Sequence, residues 1–146
     1  MRAVLQRVKE ASVTVEGRIT GQIGPGLLVL LGVGKGDSEA DLDFMVDKIR
    51  GLRIFEDAAG KMNLSVMETS KALLVVSQFT LFADTKKGRR PSFIDAMPPE
   101  EAQRMYASFC ERCRGLGLTV QEGVFAADMK VALVNDGPVT ICLSSR

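Results

Sequence analysis

The sequence contains no histidine. That absence excludes the imidazole base of Ser-His-Asp and Cys-His catalysts, and with it the commonest zinc ligand. Hydrolysis by this chain must draw on backbone amides, hydroxyls, a carboxylate, a lysine or the substrate itself. An excess of one charge is missing as well. Nineteen Lys and Arg against 18 Asp and Glu leave a formal net charge of +1, without the broad basic face of a non-specific DNA coater. No DNA partner is expected. Long hydrophobic runs are also absent. The longest aliphatic stretch, residues 27–31 extended by Gly32-Val33, falls far short of the roughly 20 residues a spanning helix needs. Arg7, Lys9 and Glu10 interrupt the N-terminal stretch before a signal-peptide core could form. The expectation is a soluble, cytoplasmic protein with no membrane contact.

Cysteine is scarce: Cys110, Cys113 and Cys142. The first two have CxxC spacing, but no second pair completes a zinc site. They also fall late in a helical pattern, whereas redox CxxC motifs usually open a helix. They read as small residues on a helix, and the odd count fits a reducing cytoplasm. No metal and no cofactor are expected.

What is present is enough for one domain. The 146 residues are 46% hydrophobic and 25% charged, the mix of a soluble globule that folds without staples. Near-alternating apolar residues from Val4 to Val15 predict a strand ending at a Glu16-Gly17 hairpin turn, with residues 18–23 as the return. Residues 27–31 and 72–76 read as strands buried on both faces. Between them, Leu42, Met45, Val46, Ile49 and Leu52 recur at three- and four-residue steps and predict a helix over 37–52, capped by Asp37 or Ser38. Residues 56–61 read as a loop and 83–98 as irregular. A second helix is predicted from Pro99 to the glycines at 115 and 117, with Ala102, Met105, Tyr106, Phe109, Cys113 and Leu116 on its apolar face. Three further strands are expected at 118–123, 130–135 and 139–143. The fold class is α+β: a single domain over 1–146, with mixed β-sheets and two main helices packed on one side.

Four segments invite a chemical reading. Gly32-Val33-Gly34-Lys35-Gly36-Asp37-Ser38 follows a strand and opens a helix, where amides and the helix dipole can cradle phosphate. Its spacing matches neither phosphate-binding glycine signature, so a plain strand-to-helix turn is favoured and nucleotide binding is the alternative. Ser77-Gln78-Phe79-Thr80-Leu81-Phe82-Ala83-Asp84 ends a buried strand with two hydroxyls, an amide and a carboxylate. Thr80 there either continues the strand or belongs to a site, and no adjacent base activates either hydroxyl. Backbone amides leaving the strand can instead bind a developing oxyanion. Lys86-Lys87-Gly88-Arg89-Arg90 places four cations in five residues, either as a solvated surface loop or as a phosphate-binding one, with Phe82 and Phe93 nearby for stacking or for the core. Asn135-Asp136-Gly137-Pro138-Val139-Thr140 reads first as a hairpin turn through Asp-Gly. The proline removes a donor and restricts Gly137, and a cis bond there would aim the Gly137 and Pro138 carbonyls in one general direction.

Together, "SQFTLFAD" at 77–84 and "NDGPVT" at 135–140 resemble the two signature motifs of the D-aminoacyl-tRNA deacylases. The resemblance extends to Val4-Leu5-Gln6-Arg7-Val8, Ala11-Ser12-Val13, the glycine-rich turn and Lys87-Gly88-Arg89-Arg90-Pro91-Ser92-Phe93. It implies an esterase that releases D-amino acids, and glycine, from the 3′ acceptor end of tRNA. It also implies a homodimer with active sites at the subunit interface, each subunit presenting a cis Gly137-Pro138 to its partner. On this resemblance the Gly137 and Pro138 carbonyls crowd the α-carbon and exclude L side chains, and Arg7 helps hold them. Thr80 matches a residue proposed as nucleophile. A chain without histidine fits better with the Gln78 and Phe79 amides as oxyanion donors, the terminal ribose 2′-hydroxyl assisting water, and Ser77 and Thr80 shaping the pocket. Lys86, Lys87, Arg89 and Arg90 are the candidate tRNA contacts. A non-catalytic RNA-binding module and a nucleotide-binding enzyme are the competing classes.

Overall fold

A computed structural model describes all 146 residues. Its organising element is β1 (Arg2–Val15), a 14-residue strand with both edges paired. The hairpin turn at Glu16-Gly17 has positive φ at both residues, 49° and 77°, the twist that matches flanking strands. The chain returns along one edge as β2 (Arg18–Ile23) and β3 (Gly26–Gly32), one long antiparallel partner interrupted at Gly24-Pro25. Along the other edge runs β8 (Lys130–Ser144), paired from Arg2↔Ser144 to Thr14↔Lys130.

β8 departs from the expected pair of strands joined by an Asp136-Gly137 turn. The chain does not reverse there. Gln6 pairs with Thr140 and Val8 with Asn135, so residues 136–139 all stand opposite Arg7. A partner as long as β1 accepts hydrogen bonds on both sides of the interruption, and the surplus residues bulge out of the ladder. The Gly137-Pro138 peptide within the bulge is cis.

β3 continues into the sheet by parallel pairing with β6 (Ala72–Ser77), and β6 pairs in parallel with β7 (Val120–Glu122). Each parallel step needs a crossover, and each crossover carries a helix. Between β3 and β6 lies α1 (Glu39–Gly51), its start closed by Asp41, which accepts the Ser38 N–H at 2.8 Å. The same crossover holds a short hairpin, β4 (Phe55–Glu56) and β5 (Met62–Leu64), whose turn at 57–61 falls in the loop expected over 56–61. Between β6 and β7 comes α2 (Pro99–Gly115), with proline in its first turn as expected. The buried stripe of α1 (Leu42, Met45, Val46, Ile49) and that of α2 (Ala102, Tyr106, Phe109, Cys110, Cys113) share a 23-residue core with Leu5, Leu27, Val29, Leu31, Leu73 and Val75. Both helices thus cover one sheet face. Val8, Ala11, Val13, Ile23, Leu28, Leu74 and Val76 form a smaller core on the other face, where β2 curls back toward β6 and β7. No helix is long and apolar enough to cross a membrane.

The β3–β6 junction leaves no space at Gly26, where an added Cβ would stand 2.0 Å from the Ala72 carbonyl oxygen. Gly26→Ala should therefore destabilise the protein by about 1–3 kcal/mol through forced backbone displacement, read as a lower midpoint in denaturant unfolding.

Candidate active site

The four central residues of β6, Leu73 to Val76, are buried, so the strand delivers Ser77, again partly exposed, at its carboxyl end. Ser77 pairs with Leu31, and the Gln78 N–H donates to the Leu31 carbonyl at 2.8 Å. The chain then turns into a short 3-10 segment, Phe79–Phe82. The carboxyl ends of parallel strands open onto ligand crevices in such sheets, and one is found here. The Gln78 hydrogen bond also bears on the two expected oxyanion donors. The Gln78 amide already serves Leu31, whereas the Phe79 N–H begins a helical turn, a position without an intrahelical acceptor. Gln78 contributes differently: its side-chain amide donates to Thr80 Oγ1, so the two polar side chains are tied to each other at the surface.

The glycine-rich turn serves this segment. A Cβ on Gly32 would meet the Gln78 carbonyl oxygen at 2.8 Å, and one on Gly34 would meet the Phe82 ring at 2.4 Å. The 3-10 segment sits directly on these glycines. The turn's amides are occupied as well: Lys35 N–H donates to the Asp95 carbonyl at 2.8 Å, Asp37 N–H to the Gly34 carbonyl at 3.1 Å, and Gly34 N–H to the Asp37 carboxylate. The segment is therefore a packing seat and not a phosphate cradle. Phe82 belongs to that packing, with the Arg2 guanidinium 4.6 Å above its ring.

Beside Ser77, Gln78 and Phe79 lies a cavity of about 630 Å³, walled by the ends of β3 and β6, the start of α2 and residues 125–129. Its lining is mostly apolar. Phe79 is 57% exposed at the mouth, and its ring meets Phe93 edge to face at 5.1 Å. On the inner wall the Tyr106 hydroxyl donates to the Val75 carbonyl at 2.8 Å, and burial pushes its ionisation above the ordinary phenol range. Tyr106 pins α2 to the sheet and is no acid at neutral pH. Thr80 is exposed and lies outside the cavity lining.

The second motif is elsewhere in the same chain. Arg7 is buried, donating from Nε to the Asp136 carbonyl and from Nη1 to the Ile54 carbonyl, both at 2.8 Å. It thereby ties the bulge to the chain just beyond α1, leaving Gly137 and Pro138 exposed. The register locates them relative to Ser77. Arg7 pairs with Leu27 and Leu27 with Leu73, whereas Ser77 lies four positions further along β6. The motifs are roughly 14 Å apart across the strands and 13 Å along them. One chain does not unite them. Lys86, Lys87, Arg89 and Arg90 occupy an exposed loop closed by paired Asp84 and Ser92, so its base adjoins Phe93 at the cavity. None of the four cations is engaged in an ion pair.

Comparison with known proteins places this arrangement. The family model for D-Tyr-tRNA(Tyr) deacylase matches residues 4–144. The chain belongs to that family. It is 70% identical over 145 residues to the D-aminoacyl-tRNA deacylase of Myxococcus xanthus (strain DK1622), covering 99% of this chain and 95% of that protein. It is 60% identical to the D-aminoacyl-tRNA deacylase of Desulfitobacterium hafniense (strain DSM 10664 / DCB-2), over 100% of this chain and 98% of that one. A solved structure of a c-Myc DNA Unwinding Element Binding Protein superposes with a TM-score of 0.94 at 47% identity, over 100% of this chain and 99% of that chain. Both segments that carried the resemblance, 77–84 and 135–140, fall inside the matched span of this deacylase family.

Sequence reasoning missed the rest of the cavity wall. Residues 125–129 carry no recognisable signal, although Ala126 has φ of 62° there, a conformation that side chains rarely adopt and that clusters at functional sites. The CxxC pair matches expectation: Cys110 and Cys113 are buried on α2. Burial pushes both thiols up, Cys113 to about 12 from an ordinary 9.0. Below pH 9 the thiol is protonated in both states, whereas between 9 and 12 it stays protonated in the folded state while the unfolded chain ionises, which increasingly favours unfolding. Stability should fall across that alkaline window. At neutral pH alkylation of the folded protein should label exposed Cys142 alone, as mass spectrometry of the modified peptides will show.

Proposed function

We propose that this chain hydrolyses the ester bond between a D-amino acid, or glycine, and tRNA, acting in the cytoplasm as a homodimer with active sites at the subunit interface. The observation that carries the reading is the separation of the two family motifs within one chain. Ser77 to Phe79 border a cavity, while Gly137 and Pro138 project from the far end of the same sheet. A second copy supplies Gly137-Pro138 to the cavity. The long β8 edge, unpaired on its outer side, offers a surface for that association.

The chemistry follows from the side chains at hand. The aminoacyl ester enters beside Phe79, whose N–H receives the negative charge that develops on the carbonyl oxygen as water attacks. A preorganised donor of this kind contributes on the order of 10²–10³ in rate. The ribose 2′-hydroxyl of the substrate orients the water, and the 3′-oxygen leaves with a proton. The partner's Gly137 and Pro138 carbonyls stand against the α-carbon, so that an L side chain collides and a D side chain, or none, passes. Ser77 and Gln78 line the pocket, and Thr80 holds the Gln78 side chain from outside it.

The deciding experiment offers the protein D- and L-tyrosyl-tRNA and follows free tyrosine. Release from the D form alone is expected; tRNA binding without release would leave an RNA-binding module. In the same assay Thr80→Ala should keep its rate within about tenfold, whereas a loss of about 10⁴ would make Thr80 the nucleophile. Reversing the charges of Lys86 and Lys87 should weaken tRNA binding and reduce the slope of log K against log salt by about 1.5. An unchanged slope removes the loop from the interface.

A further inference from the structure

The bulge that carries Gly137 and Pro138 is closed by a side chain. Asn135 precedes it and Val139 is its last residue, and the Val139 N–H donates to Asn135 Oδ1 at 2.8 Å while Asn135 Nδ2 faces the Val139 carbonyl at 3.1 Å. Four residues of β8 oppose Arg7 alone, so the ladder gives Val139 no residue of its own opposite. The Asn135 amide takes that place, offering an acceptor and a donor as a strand neighbour would. Its Nδ2 also lies 3.2 Å from Gln6 Oε1 and 3.1 Å from Thr140 Oγ1. These contacts tether the amide to β1 on one side and to the resumed β8 on the other. The arrangement fixes which way the amide points, because oxygen meets an N–H and nitrogen meets acceptors only.

We infer that Asn135, seated by Gln6 and Thr140, is a positioning residue for stereochemical discrimination: it sets the mouth of the bulge and hence where the Gly137 and Pro138 carbonyls are presented. Arg7 and Asn135 divide the work. Arg7 holds the bulge from within the sheet through the Asp136 carbonyl, and Asn135 sets its width from 135 to 139. A backbone at Gly137 with φ of 153° has no side chain of its own to fix it, so the flanking contacts must. This inference rests on the reading of Gly137-Pro138 as the filter.

The test compares kcat/KM for D- and L-tyrosyl-tRNA in the wild type, Asn135→Ala, Asn135→Asp and Thr140→Val. General destabilisation lowers both rates together and leaves their ratio intact. A displaced filter changes the ratio. Asn135→Ala should lower the D-over-L ratio by about tenfold or more, the equivalent of a lost hydrogen bond, and should speed hydrogen exchange at the Val139 amide. Asn135→Asp keeps the acceptor for Val139 and loses the donor, so its ratio should fall less. Folded variants, all with the wild-type ratio, overturn the inference. If Asn135→Ala does not fold, Asn135→Asp and Thr140→Val decide on the same criterion. A wild type with no D preference overturns the filter itself and this inference with it. A selective wild type with unaltered variants overturns the inference alone.

Discussion

The pairing of β1 along both of its edges is the constraint on which the rest of the molecule depends. Through β3 it sets the level of β6, and through β8 it sets the level of the bulge. The separation of the two motifs is therefore a property of register and not of loop flexibility. A one-residue slip of β1 against β3 would turn Leu5 outward and Gln6 inward, undoing both cores at once. The burial of Leu5 and Val8, at 0% and 1% exposure, resists any such slip. The bulge is tolerated because the ladder is long on both sides of it. Residues 130–135 and 140–144 each hold their own stretch of β1, and neither depends on the intervening residues for its place.

Much of this frame was legible because it is written locally. The apolar steps of α1, the run from Leu73 to Val76, the Glu16-Gly17 turn and Pro99 at the head of α2 each carry their signal within a few residues. What escaped was decided at a distance. Asp136-Gly137 looks the same in sequence whether the chain reverses or bulges. The choice belongs to β1, whose residues stand ready to pair beyond the interruption. The hairpin of β4 and β5 is two strands of two and three residues, too short to show a period. The glycines at 32 and 34 were visible as a turn, yet their purpose lies in Gln78 and Phe82, far along the chain. Likewise no sequence pattern reveals that the Gln78 amide is directed to Leu31 while Phe79 opens the turn.

The composition and the geometry agree on the kind of chemistry available. Most ionisable candidates near the cavity are inert: Tyr106 is buried against Val75, and Cys110 and Cys113 are buried on α2 with their thiols held protonated, which leaves Lys35 of the glycine-rich turn as the one exposed charge in the lining. What remains at the end of β6 is backbone polarity in a largely apolar setting. An amide gains strength there, since a fixed dipole in a low dielectric needs no reorientation as charge develops. The mechanism proposed above asks little of side-chain acidity and much of geometry, and the close approach of Gly32 and Gly34 to Gln78 and Phe82 holds that geometry.

The same reasoning extends to selectivity. The filter proposed above, made of main-chain carbonyls, cannot be adjusted by changing a side chain at Gly137, because Gly137 has none and a Cβ there would meet the Val139 nitrogen at 2.6 Å. Its properties must be set by whatever holds the backbone. In this chain those holders are polar groups with defined directions: the planar guanidinium of Arg7, which reaches two carbonyls at once, and the carboxamide of Asn135, which both donates and accepts. Planar groups of this type lose their hydrogen bonds when rotated or displaced. A precise backbone surface therefore requires a rigid polar support around it, and the fold supplies that support from Arg7 and Gln6 of β1, a strand paired on both edges, and from Asn135 of β8 itself.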